Sequence, residues 1–475
     1  MPLILPGNVA TATASTAYSI DNSCRFDGST SYLQKTSTSD SPTLATKATF
    51  SFWAKSCSTA EQFITYTNGA SSPYFQMRFG DANSNIWIQD YHGGNSYYVI
   101  SSQKIRDPAA WYHFIYSYDS TPSTPSSSSI KVFINGVQVT ALANGITATY
   151  PSQNTAAKLT AASVTLPIGT NHNASAGFFN GYMAEVMLVD GQALNATDFG
   201  EFDEDSPTIW KPIDISGITL GNQGFYLDFK DSANLGNDVG GGTDFTENNI
   251  AAADQSTDTP TNNFCTMNPL DNYYAGATFS EGNCKIVTGS AYTFLTGTIA
   301  LSAGKWYYEV KSISENQDLI GICQNPTASN NKLGHYAKDY GYGAYNGKIT
   351  EAANQYTYGD TYTDDDIIGI YIDLDNSKFY AAKNGTIQNS GTGYSIQAIA
   401  DTHNGHYFPS FGDNDTASGT YGANFGGCPA FAISSGNADA NGYGNFEYDP
   451  SSGTFDGASK DFLAICTKNL GSDGG

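Results

Sequence analysis

Charged residues are scarce in this chain, and its cysteines form no recognisable framework. Asp, Glu, Lys and Arg together make up 14% of the 475 residues. The seven cysteines are an odd number, are scattered along the chain and include no C-x-x-C pair. This excludes the disulfide scaffold of a small secreted domain. We therefore expect the cysteines to be small buried apolar residues of a protein made in a reducing cytoplasm.

Long apolar runs and sorting signals are also lacking. No stretch approaches the length needed to cross a membrane, so we expect no membrane insertion. The first residues, Met1–Pro6, lack a basic region followed by a long apolar core. This pattern predicts a chain without a signal peptide.

Positive charge is in short supply relative to negative charge. The chain has 45 acidic residues against 21 lysines and arginines, which gives a formal net charge of −24. The resulting negative field disfavours nucleic acid and anionic lipid as partners.

Catalytic signatures are missing too, since there is no Walker loop, no G-x-G-x-x-G fingerprint and no Ser-His-Asp order. We expect a protein that is not an enzyme and that binds no nucleic acid.

What the sequence does contain is a series of short strands joined by polar turns, and the clearest pair is a hairpin in the last third of the chain. The run Ile-Gly-Ile-Tyr-Ile at 368–372 has the period of two that places one set of side chains on a buried face. Residues 373–376 then break the run, residues 379–381 restart it, and Asn384-Gly385 turns the chain again.

The segments around this hairpin resemble the SPRY domain. They are G-K-W-Y-Y-E-V at 304–310, G-I at 321–322, Y-G-Y-G-A-Y at 340–345, D-I-I-G-I-Y-I-D-L-D at 366–375 and P-S-F at 409–411. The resemblance covers residues 265–428. It implies a β-sandwich that binds partners through its loops and has no catalytic centre.

A second series of strands fills the first half of the chain. Mostly alternating segments lie at 48–54, 62–66, 74–79, 86–88, 111–118, 130–134 and 179–188. Asn135-Gly136 is a two-residue hairpin turn. Many short strands without helical intervals predict an antiparallel sandwich.

The order of the motifs in this half resembles the laminin-G and pentraxin type of concanavalin A-like jelly roll. The motifs are F-D-G-S-T-S-Y-L, F-S-F-W-A-K, I-K-V-F-I-N-G-V and F-N-G-Y-M-A-E-V, over about residues 21–205. Members of this group bind glycans or proteins at the rim of the sandwich, some of them through calcium. The resemblance therefore also implies binding.

The predicted fold class is all-β, with two antiparallel jelly-roll-like β-sandwich domains in tandem and very little helix. The predicted parts are an arm or first strand at 1–20, a concanavalin A-like sandwich at 21–212, a bridging segment with one strand at 213–264, a SPRY-like sandwich at 265–428, and a segment at 429–475 that docks on a sheet and ends in a loose tail. The best helix candidate is Asn195–Phe202, with Asn195 as its N-cap.

Loop aromatics of the first domain are the candidate glycan contacts. Trp87, Asp90, Tyr91 and His92 lie in a segment rich in Gly and Asn. Aromatic rings stack on a sugar face, while carboxylates and amides bind its hydroxyls. In a chain with 32 tyrosines, chance placement is the competing interpretation.

Tyrosines of the second domain are the candidate contacts to a partner. Tyr336, Tyr340, Tyr356 and Tyr358 fall in the segments where SPRY domains hold their partners. The same competing interpretation applies to them.

Acidic residues suggest two further sites, each with a structural alternative. Asp373 and Asp375 begin a calcium-loop pattern, but Lys378 stands where a glycine would turn the chain, so a polar hairpin turn is favoured. We expect no other cofactor. The acidic run 201–205 is the one stretch that suggests glycoside hydrolysis, which needs two suitably spaced carboxylates. It precedes a proline and is interpreted as a solvated turn.

Three segments taken together resemble virion proteins of tailed bacteriophages, especially marine ones. They are V-D-G-Q-A-L at 189–194, D-T-P-T-N-N-F at 258–264 and, after the SPRY-like module, the terminal segment with F-E-Y-D-P at 446–450 and L-A-I-C-T-K-N-L at 463–470. The resemblance implies a homotrimeric tail fibre, spike or capsid decoration on the virion surface, made in the host cytoplasm. Its partners would be other virion proteins and a host-surface glycan or protein. The alternatives are a free lectin-like carbohydrate-binding protein and, less favoured, a glycan depolymerase.

Overall fold

The computed structural model describes residues 18–68, 73–80, 85–271, 276–289, 292–315, 317–324, 331–414 and 417–473. Two compact units make up the chain, with the boundary between Thr261 and Asn262. The regular secondary structure of both is almost entirely antiparallel β-strand, which confirms the predicted all-β fold class. Most of the predicted N-terminal arm, residues 1–17, lies outside the described residues. Within the described parts of the chain, no helix has the length and apolarity to span a bilayer.

The N-terminal unit is a sandwich of two layers. Its strands are β1 (Ser23–Asp27), β2 (Tyr32–Thr36), β3 (Lys47–Ser56), β4 (Gln62–Tyr66), β5 (Tyr74–Phe79), β6 (Asn85–Tyr91), β7 (Ser96–Lys104), β8 (Tyr112–Asp119), β9 (Ile130–Ile134), β10 (Val137–Gln138), β11 (Thr165–Ile168), β12 (Asn180–Asp190), β13 (Gly200–Phe202), β14 (Trp210–Pro212), β15 (Phe225–Leu227), β16 (Thr246–Asn248) and β17 (Gln255–Ser256). The large sheet has the order β10-β9-β8-β3-β12-β1-β17, with β15 also paired to β12. The opposite layer contains the small sheet β4-β5-β6-β7 and the sheet β11-β2-β16.

Apolar side chains of the two layers meet in one hydrophobic core. Phe79 of β5 and Phe114 of β8 are at most 2% exposed, and their ring centroids lie 4.7 Å apart. The predicted turn between β9 and β10 is confirmed, because Asn135 and Gly136 adopt φ values of 46° and 77°. Glycine is required there, since a Cβ at position 136 would lie 2.3 Å from the Trp210 ring.

The segment predicted to bridge the domains, 213–264, is instead part of the N-terminal sandwich up to Thr261. Strands β15, β16 and β17 pair with β12, β2 and β1. Lys55 Nζ of β3 lies 2.8 Å from Asp258 Oδ2, and Trp111 Nε1 donates to Asp258 Oδ1 at 2.8 Å. Both charged side chains are at most 1% exposed, so loss of either would leave a buried charge. These polar contacts fix the end of the segment to the sandwich.

The helix predicted at Asn195–Phe202 is also corrected. Ala196–Asp198 forms a short 3₁₀ turn, and the chain continues directly into β13. The Asp198 carboxylate accepts a hydrogen bond from the Asn195 N–H at 2.7 Å, which closes the turn. Pairing of β13 with β14 then satisfies the backbone groups that a helix would have used.

The C-terminal unit is a second two-layer sandwich. Its elements are β18 (Thr278–Ser280), β19 (Lys285–Val287), β20 (Thr293–Thr296), β21 (Lys305–Ser314), β22 (Asp318–Cys323), β23 (Tyr340–Gly343), β24 (Lys348–Glu351), β25 (Asn354–Thr357), β26 (Ile367–Asp373), β27 (Lys378–Lys383), β28 (Thr386–Ile387), β29 (Tyr394–Ser395), β30 (Phe408–Asp413), β31 (Thr420–Asn424), β32 (Leu463–Ala464) and helix α1 (Thr467–Asp473). One sheet has the order β18-β19-β31-β21-β26-β27-β28, with β29 on β27 and β32 on β21. The other has the order β20-β30-β22-β23-β24-β25. The predicted hairpin is confirmed as β26 paired with β27.

The end of the chain covers the outer face of the sheet that contains β26. Phe455 and Phe462 pack on Tyr371 and Tyr380, and Phe446 packs on Tyr307, in one buried aromatic cluster. Strand β32 pairs in parallel with β21. Helix α1 reaches residue 473, so part of the tail predicted to be loose is helical, and the last two residues lie outside the described residues.

The outer face of the large sheet in the N-terminal unit is likewise covered by its own chain. Residues 194–220 contribute to a buried cluster on this face, and His113 of β8 lies within it. The His113 ring stacks on Trp53 with a centroid distance of 4.5 Å. The Trp210 indole N–H donates to His113 Nδ1 at 3.0 Å, and Ser51 Oγ lies 2.8 Å from Nε2. Because an indole N–H only donates, Nδ1 must stay unprotonated, and burial lowers the pKa of His113 to about 3.

The stability of the N-terminal unit should therefore depend on pH through His113. Its pKa is about 3 in the fold against an ordinary value of 6.5. As the pH falls below 6.5, the unfolded chain binds the proton first, so this contribution to stability is complete above that pH and is lost below it. Between roughly pH 6 and pH 4, the free energy of unfolding should fall by about 1.4 kcal/mol per pH unit through this group.

Urea unfolding at a series of pH values, followed by tryptophan fluorescence, measures the slope of the unfolding free energy against pH. His113→Gln should lose the His113 contribution, whereas His403→Gln, at an exposed position of the C-terminal unit, should keep the wild-type slope. An unchanged slope in His113→Gln would show that His113 does not remain neutral in the fold.

Candidate functional site

Strands β4 to β7 turn one face toward the core and the other away from it. Along β5, residues 75, 77 and 79 belong to the hydrophobic core. Because side chains alternate along a strand, Tyr74, Gln76 and Arg78 lie on the opposite face. The same alternation holds for β6, where the core residues are Ile86 and Ile88.

Cross-strand register gathers the outward residues into three rows, which together we call the tyrosine–amide face. The first row is Phe63, Arg78, Trp87 and Ile100, the central row is Tyr66, Gln76, Gln89 and Tyr98, and the third row is Tyr74, Tyr91 and Ser96. None of these side chains belongs to the two core clusters of the unit. Neighbouring rows are about 7 Å apart, because they are two residues apart along β5, β6 and β7.

Tyrosine rings form a continuous group on this face. The ring centroids of Tyr66 and Tyr74 are 5.0 Å apart, those of Tyr74 and Tyr91 are 4.9 Å apart, and His172 packs 4.8 Å from Tyr66. All three tyrosines are half-buried, so part of each side chain reaches solvent. Burial raises the pKa of Tyr66 and of Tyr74, so both are neutral phenols that donate and accept hydrogen bonds.

Two glutamine amides occupy the centre of the face. Gln76 Nε2 donates to Gln89 Oε1, and Gln89 Nε2 donates to Ser96 Oγ at 2.7 Å. The Tyr74 hydroxyl donates to Gln89 Oε1 at 3.3 Å. These bonds hold the amides at fixed positions beside the rings. Rings that contact an apolar surface and amides that bind hydroxyl groups are the two kinds of contact that a sugar accepts.

Trp87 lies on this face, but one side of its ring is already covered. The Arg78 guanidinium carbon is 4.3 Å from the ring centroid, and Arg78 Nη1 is 3.0 Å from Glu61 Oε1. The cation–π contact covers one face of the indole ring, which is then not available for stacking on a sugar. Trp87 therefore orients Arg78. Tyr91, which was also predicted as a glycan contact, lies in the third row beside another half-buried tyrosine, Tyr74.

The expectation that Asp90 binds a ligand is corrected. Alternation along β6 directs Asp90 toward the interior, where it is 1% exposed. Its Oδ2 accepts from the Lys158 N–H at 3.2 Å, and its Oδ1 is 3.0 Å from His92 Nε2. Burial raises the pKa of Asp90. His92 packs on Tyr97 with a centroid distance of 5.1 Å, so it holds Asp90 at the turn after β6 instead of extending the face.

The four tyrosines predicted in the C-terminal unit fall into two groups. Tyr340 and Tyr358 are 1% and 4% exposed and belong to the hydrophobic core, which corrects the expectation that they contact a partner. Tyr356 is 44% exposed and lies 5.8 Å from the ring of Tyr394. Tyr336 is half-buried, and its hydroxyl accepts from Asn331 Nδ2 at 2.8 Å. Tyr336 and Tyr356 are the two that solvent reaches.

Comparison with known families assigns a domain type to each unit. Residues 27–198 match the profile of the concanavalin A-like lectin/glucanases superfamily, and residues 305–426 match that of the SPRY domain. The chain carries a concanavalin A-like domain followed by a SPRY domain. Both domain types suggest a binding function.

Similar solved structures match one domain at a time and only weakly. The SPRY domain of human HERC1 is 14% identical with a TM-score of 0.28, over 33% of this chain and 96% of that chain. A native heptameric SAP-like pentraxin from Limulus polyphemus is 16% identical with a TM-score of 0.27, over 38% of this chain and 80% of that chain. No curated protein matches this chain.

Both acids considered for calcium in the SPRY domain, Asp373 and Asp375, are paired with lysines. Lys460 Nζ lies 2.7 Å from Asp373 Oδ2, and Lys305 Nζ lies 2.8 Å from Asp375 Oδ2. The Asp373 carboxylate also accepts two hydrogen bonds from the side chain of Asn376. Each carboxylate is thus paired with the ammonium group of a lysine, which favours the interpretation as a polar turn. Among the described residues, no three His, Cys, Asp or Glu side chains converge as a metal site.

The acidic run 201–205 of the concanavalin A-like domain is a lysine-paired turn. Lys211 Nζ lies 3.5 Å from Glu201 Oε1 and 3.3 Å from Asp203 Oδ2. The Ser206 N–H and Lys211 lower the pKa of Asp203. A glycosidase acid needs a raised pKa, and the shift at Asp203 is in the opposite direction.

Tyr66, Tyr74, Gln76 and Gln89 are site residues that sequence reasoning missed. The signal was present in β5, where Tyr, Gln and Arg alternate with Phe and Met. An alternating strand with aromatic and amide residues on its polar side is typical of a sheet face that meets a ligand. Finding the rows also required the register between strands, which the sequence does not give.

The paired acids of the SPRY domain generate a stability prediction. Lys460→Met should cost about 3–5 kcal/mol of unfolding free energy, because it leaves Asp373, at 0% side-chain exposure, without its cation. Lys305→Met should cost less than about 1 kcal/mol, because the Asp375 side chain is 46% exposed. Urea unfolding of the SPRY domain, followed by circular dichroism, compares the two variants.

The effect of calcium on unfolding is a second test of the ion pairs formed by these two acids. Because lysines neutralise both carboxylates, calcium or a chelator should leave the unfolding of the wild-type SPRY domain unchanged. Stabilisation by calcium that disappears in Asp373→Asn would contradict the lysine pairing and restore a metal site.

Proposed function

We propose that this protein is a non-enzymatic binding protein that holds a host-surface glycan on the tyrosine–amide face of its concanavalin A-like domain. The observation that carries the proposal is the three-row arrangement of rings and amides outside the core. Tyr66, Tyr74 and Tyr91 remain half-exposed although the chain buries other tyrosines completely. A contiguous, partly exposed group of aromatic side chains marks an interaction surface.

The chemistry of the face suits a carbohydrate. A sugar ring has an apolar C–H surface that packs on an aromatic ring, and its hydroxyls both donate and accept hydrogen bonds. Tyr74 and Gln89 supply groups that do both, and the hydrogen bonds among them fix their positions before a ligand arrives. Such preorganisation lowers the entropic cost of binding.

The SPRY domain supplies a second proposed contact, to a protein partner. Strand β25 has all four residues exposed at the end of its sheet, and Tyr356 lies in it. Tyr336, in the loop before β23, is the other candidate contact. The specific observation that favours this surface is the exposure of Tyr356, because an exposed tyrosine offers a large contact area at small entropic cost.

A location on a virion surface is proposed on the bacteriophage resemblance alone. The same resemblance supports a homotrimer that attaches to other virion proteins as a tail fibre, spike or capsid decoration. Co-purification of the protein with particles supports this location, whereas recovery only as a free protein supports the lectin-like alternative. The glycan depolymerase alternative requires a carboxylate pair in the site, and the tyrosine–amide face carries none in its three rows.

Glycan binding is tested by removing one ring from the face. A glycan array probed with the full chain identifies a ligand, and Tyr91→Ala should weaken its binding by about 1–3 kcal/mol, the burial value of an aromatic side chain. Tyr356→Ala, in the SPRY domain, should bind the glycan as the wild type does. Prolonged incubation should release no reducing ends.

Melting curves separate loss of binding from loss of folding. Tyr91→Ala should melt close to the wild type, because its ring lies outside the core clusters. Unchanged glycan binding by folded Tyr91→Ala would refute the face as the binding site. Release of reducing ends by the wild type would establish an enzyme.

A further inference from the structure

The charges on the tyrosine–amide face cancel one another. Arg78 is the one formally charged residue in the three rows, and the chain has only three arginines in all. Glu61 Oε1 lies 3.0 Å from Arg78 Nη1, and the Arg78 guanidinium packs on Trp87 at 4.3 Å. The guanidinium is therefore both neutralised and held in place. A ligand that approaches the face meets no uncompensated charge from these rows.

The other polar groups of the face are neutral and of mixed character. Amides and phenols donate and accept hydrogen bonds, as sugar hydroxyls do. A carboxylate or sulfate ligand would instead need cationic donors, usually an arginine that is free to form two parallel bonds. The net charge of −24 also opposes the approach of a polyanion. Both observations favour an uncharged ligand.

The geometry of the rows suggests how such a ligand lies. The central row runs across four strands, from Tyr66 on β4 to Tyr98 on β7. Three inter-strand spacings make this row about 14 Å long. Gln76 and Gln89 lie between the two terminal rings. One pyranose unit is about as long as one inter-strand spacing.

We infer, on the basis of the proposed function, that the face takes a neutral, linear glycan segment of about three sugar units that lies across β4 to β7. Gln89 binds its hydroxyls along the central row, and Gln76, which is buried, holds the Gln89 amide in place. Tyr66 and Tyr98 contact its two ends, and the third-row tyrosines flank one side. The ligand class is thus an uncharged oligosaccharide, not a uronate, sialylated or sulfated chain.

Calorimetric titration of the full chain with oligosaccharides of increasing length tests this inference. The neutral probes are malto-, cello- and chito-oligosaccharides, and the acidic probes are oligogalacturonides of matched length. For at least one neutral series, affinity should rise up to about three or four units and then level off. The matched acidic probes should bind at least about tenfold more weakly, and added salt should leave the neutral affinity unchanged.

Gln89→Ala gives a matched test of the central row. It should lower the affinity for the neutral trisaccharide by about tenfold, the usual effect of losing one or two hydrogen bonds. Gln355→Ala, at an exposed position of the SPRY domain, should leave that affinity unchanged. Gln355→Ala should melt as the wild type does, whereas Gln89→Ala should melt at a somewhat lower temperature, because Gln76 loses its acceptor, but should remain folded at the titration temperature.

The outcomes distinguish this inference from the proposed function. Tighter binding of acidic probes that weakens with salt and is lost in Tyr91→Ala would overturn the neutral class while the face remains a glycan site. Affinity that is the same for one unit as for three, or that still rises beyond six, would overturn the length and orientation. Glycan binding that survives both Tyr91→Ala and Gln89→Ala, or no binding of any glycan, would overturn the proposed function itself.

Discussion

Every β-strand has two faces, and in a two-layer sandwich only one face of each sheet can enter the core. Whether the other face is covered by a segment of the chain determines which surface of the concanavalin A-like domain is available for binding. The large sheet has its outer face covered by residues 194–220, around the stacked His113 and Trp53 rings. The small sheet keeps tyrosines and amides on its outer face. The candidate site follows from this difference between the two sheets.

In the SPRY domain, by contrast, a segment of the chain covers the tyrosines on the outer face of one sheet. Its C-terminal segment lays Phe455 and Phe462 on Tyr371 and Tyr380, so these rings pack as in a second core. Lys460 secures this segment, because its ammonium group bonds both Asp373 and the Tyr380 hydroxyl. Tyrosine content alone therefore carries little information about binding. What matters is whether a strand face has a covering segment.

Local sequence patterns were sufficient to predict the elements whose conformation depends on neighbouring residues alone. The hairpin of β26 and β27 and the turn at Asn135-Gly136 follow from alternation and from residues that tolerate positive φ. The division into two sandwiches of known type followed from motif order. Strands β16 and β17 escaped notice because two or three residues cannot establish a period, and their partners β2 and β1 lie far away in the sequence.

The site was only half predictable for the same reason. Trp87 and Tyr91 come just before a Gly- and Asn-rich turn in the sequence, but they lie in strand β6, so alternation directs Asp90 into the interior. Tyr340 and Tyr358 occur in segments that look like loops, yet both are buried. The rows that join Tyr66, Gln76 and Gln89 exist only through cross-strand register. Asp373 and Asp375 form a metal-like pattern in sequence, and the lysines that neutralise them come from distant positions.

The central claim is that the outer face of the small sheet binds the ligand. Tyrosine nitration of the full chain, mapped by mass spectrometry with and without a glycan selected from the array, tests this most directly. The account predicts that the glycan protects Tyr74 and Tyr91 from nitration and leaves Tyr356, which is 44% exposed, as reactive as before. Protection of Tyr356 together with unchanged nitration of Tyr74 and Tyr91 would contradict it.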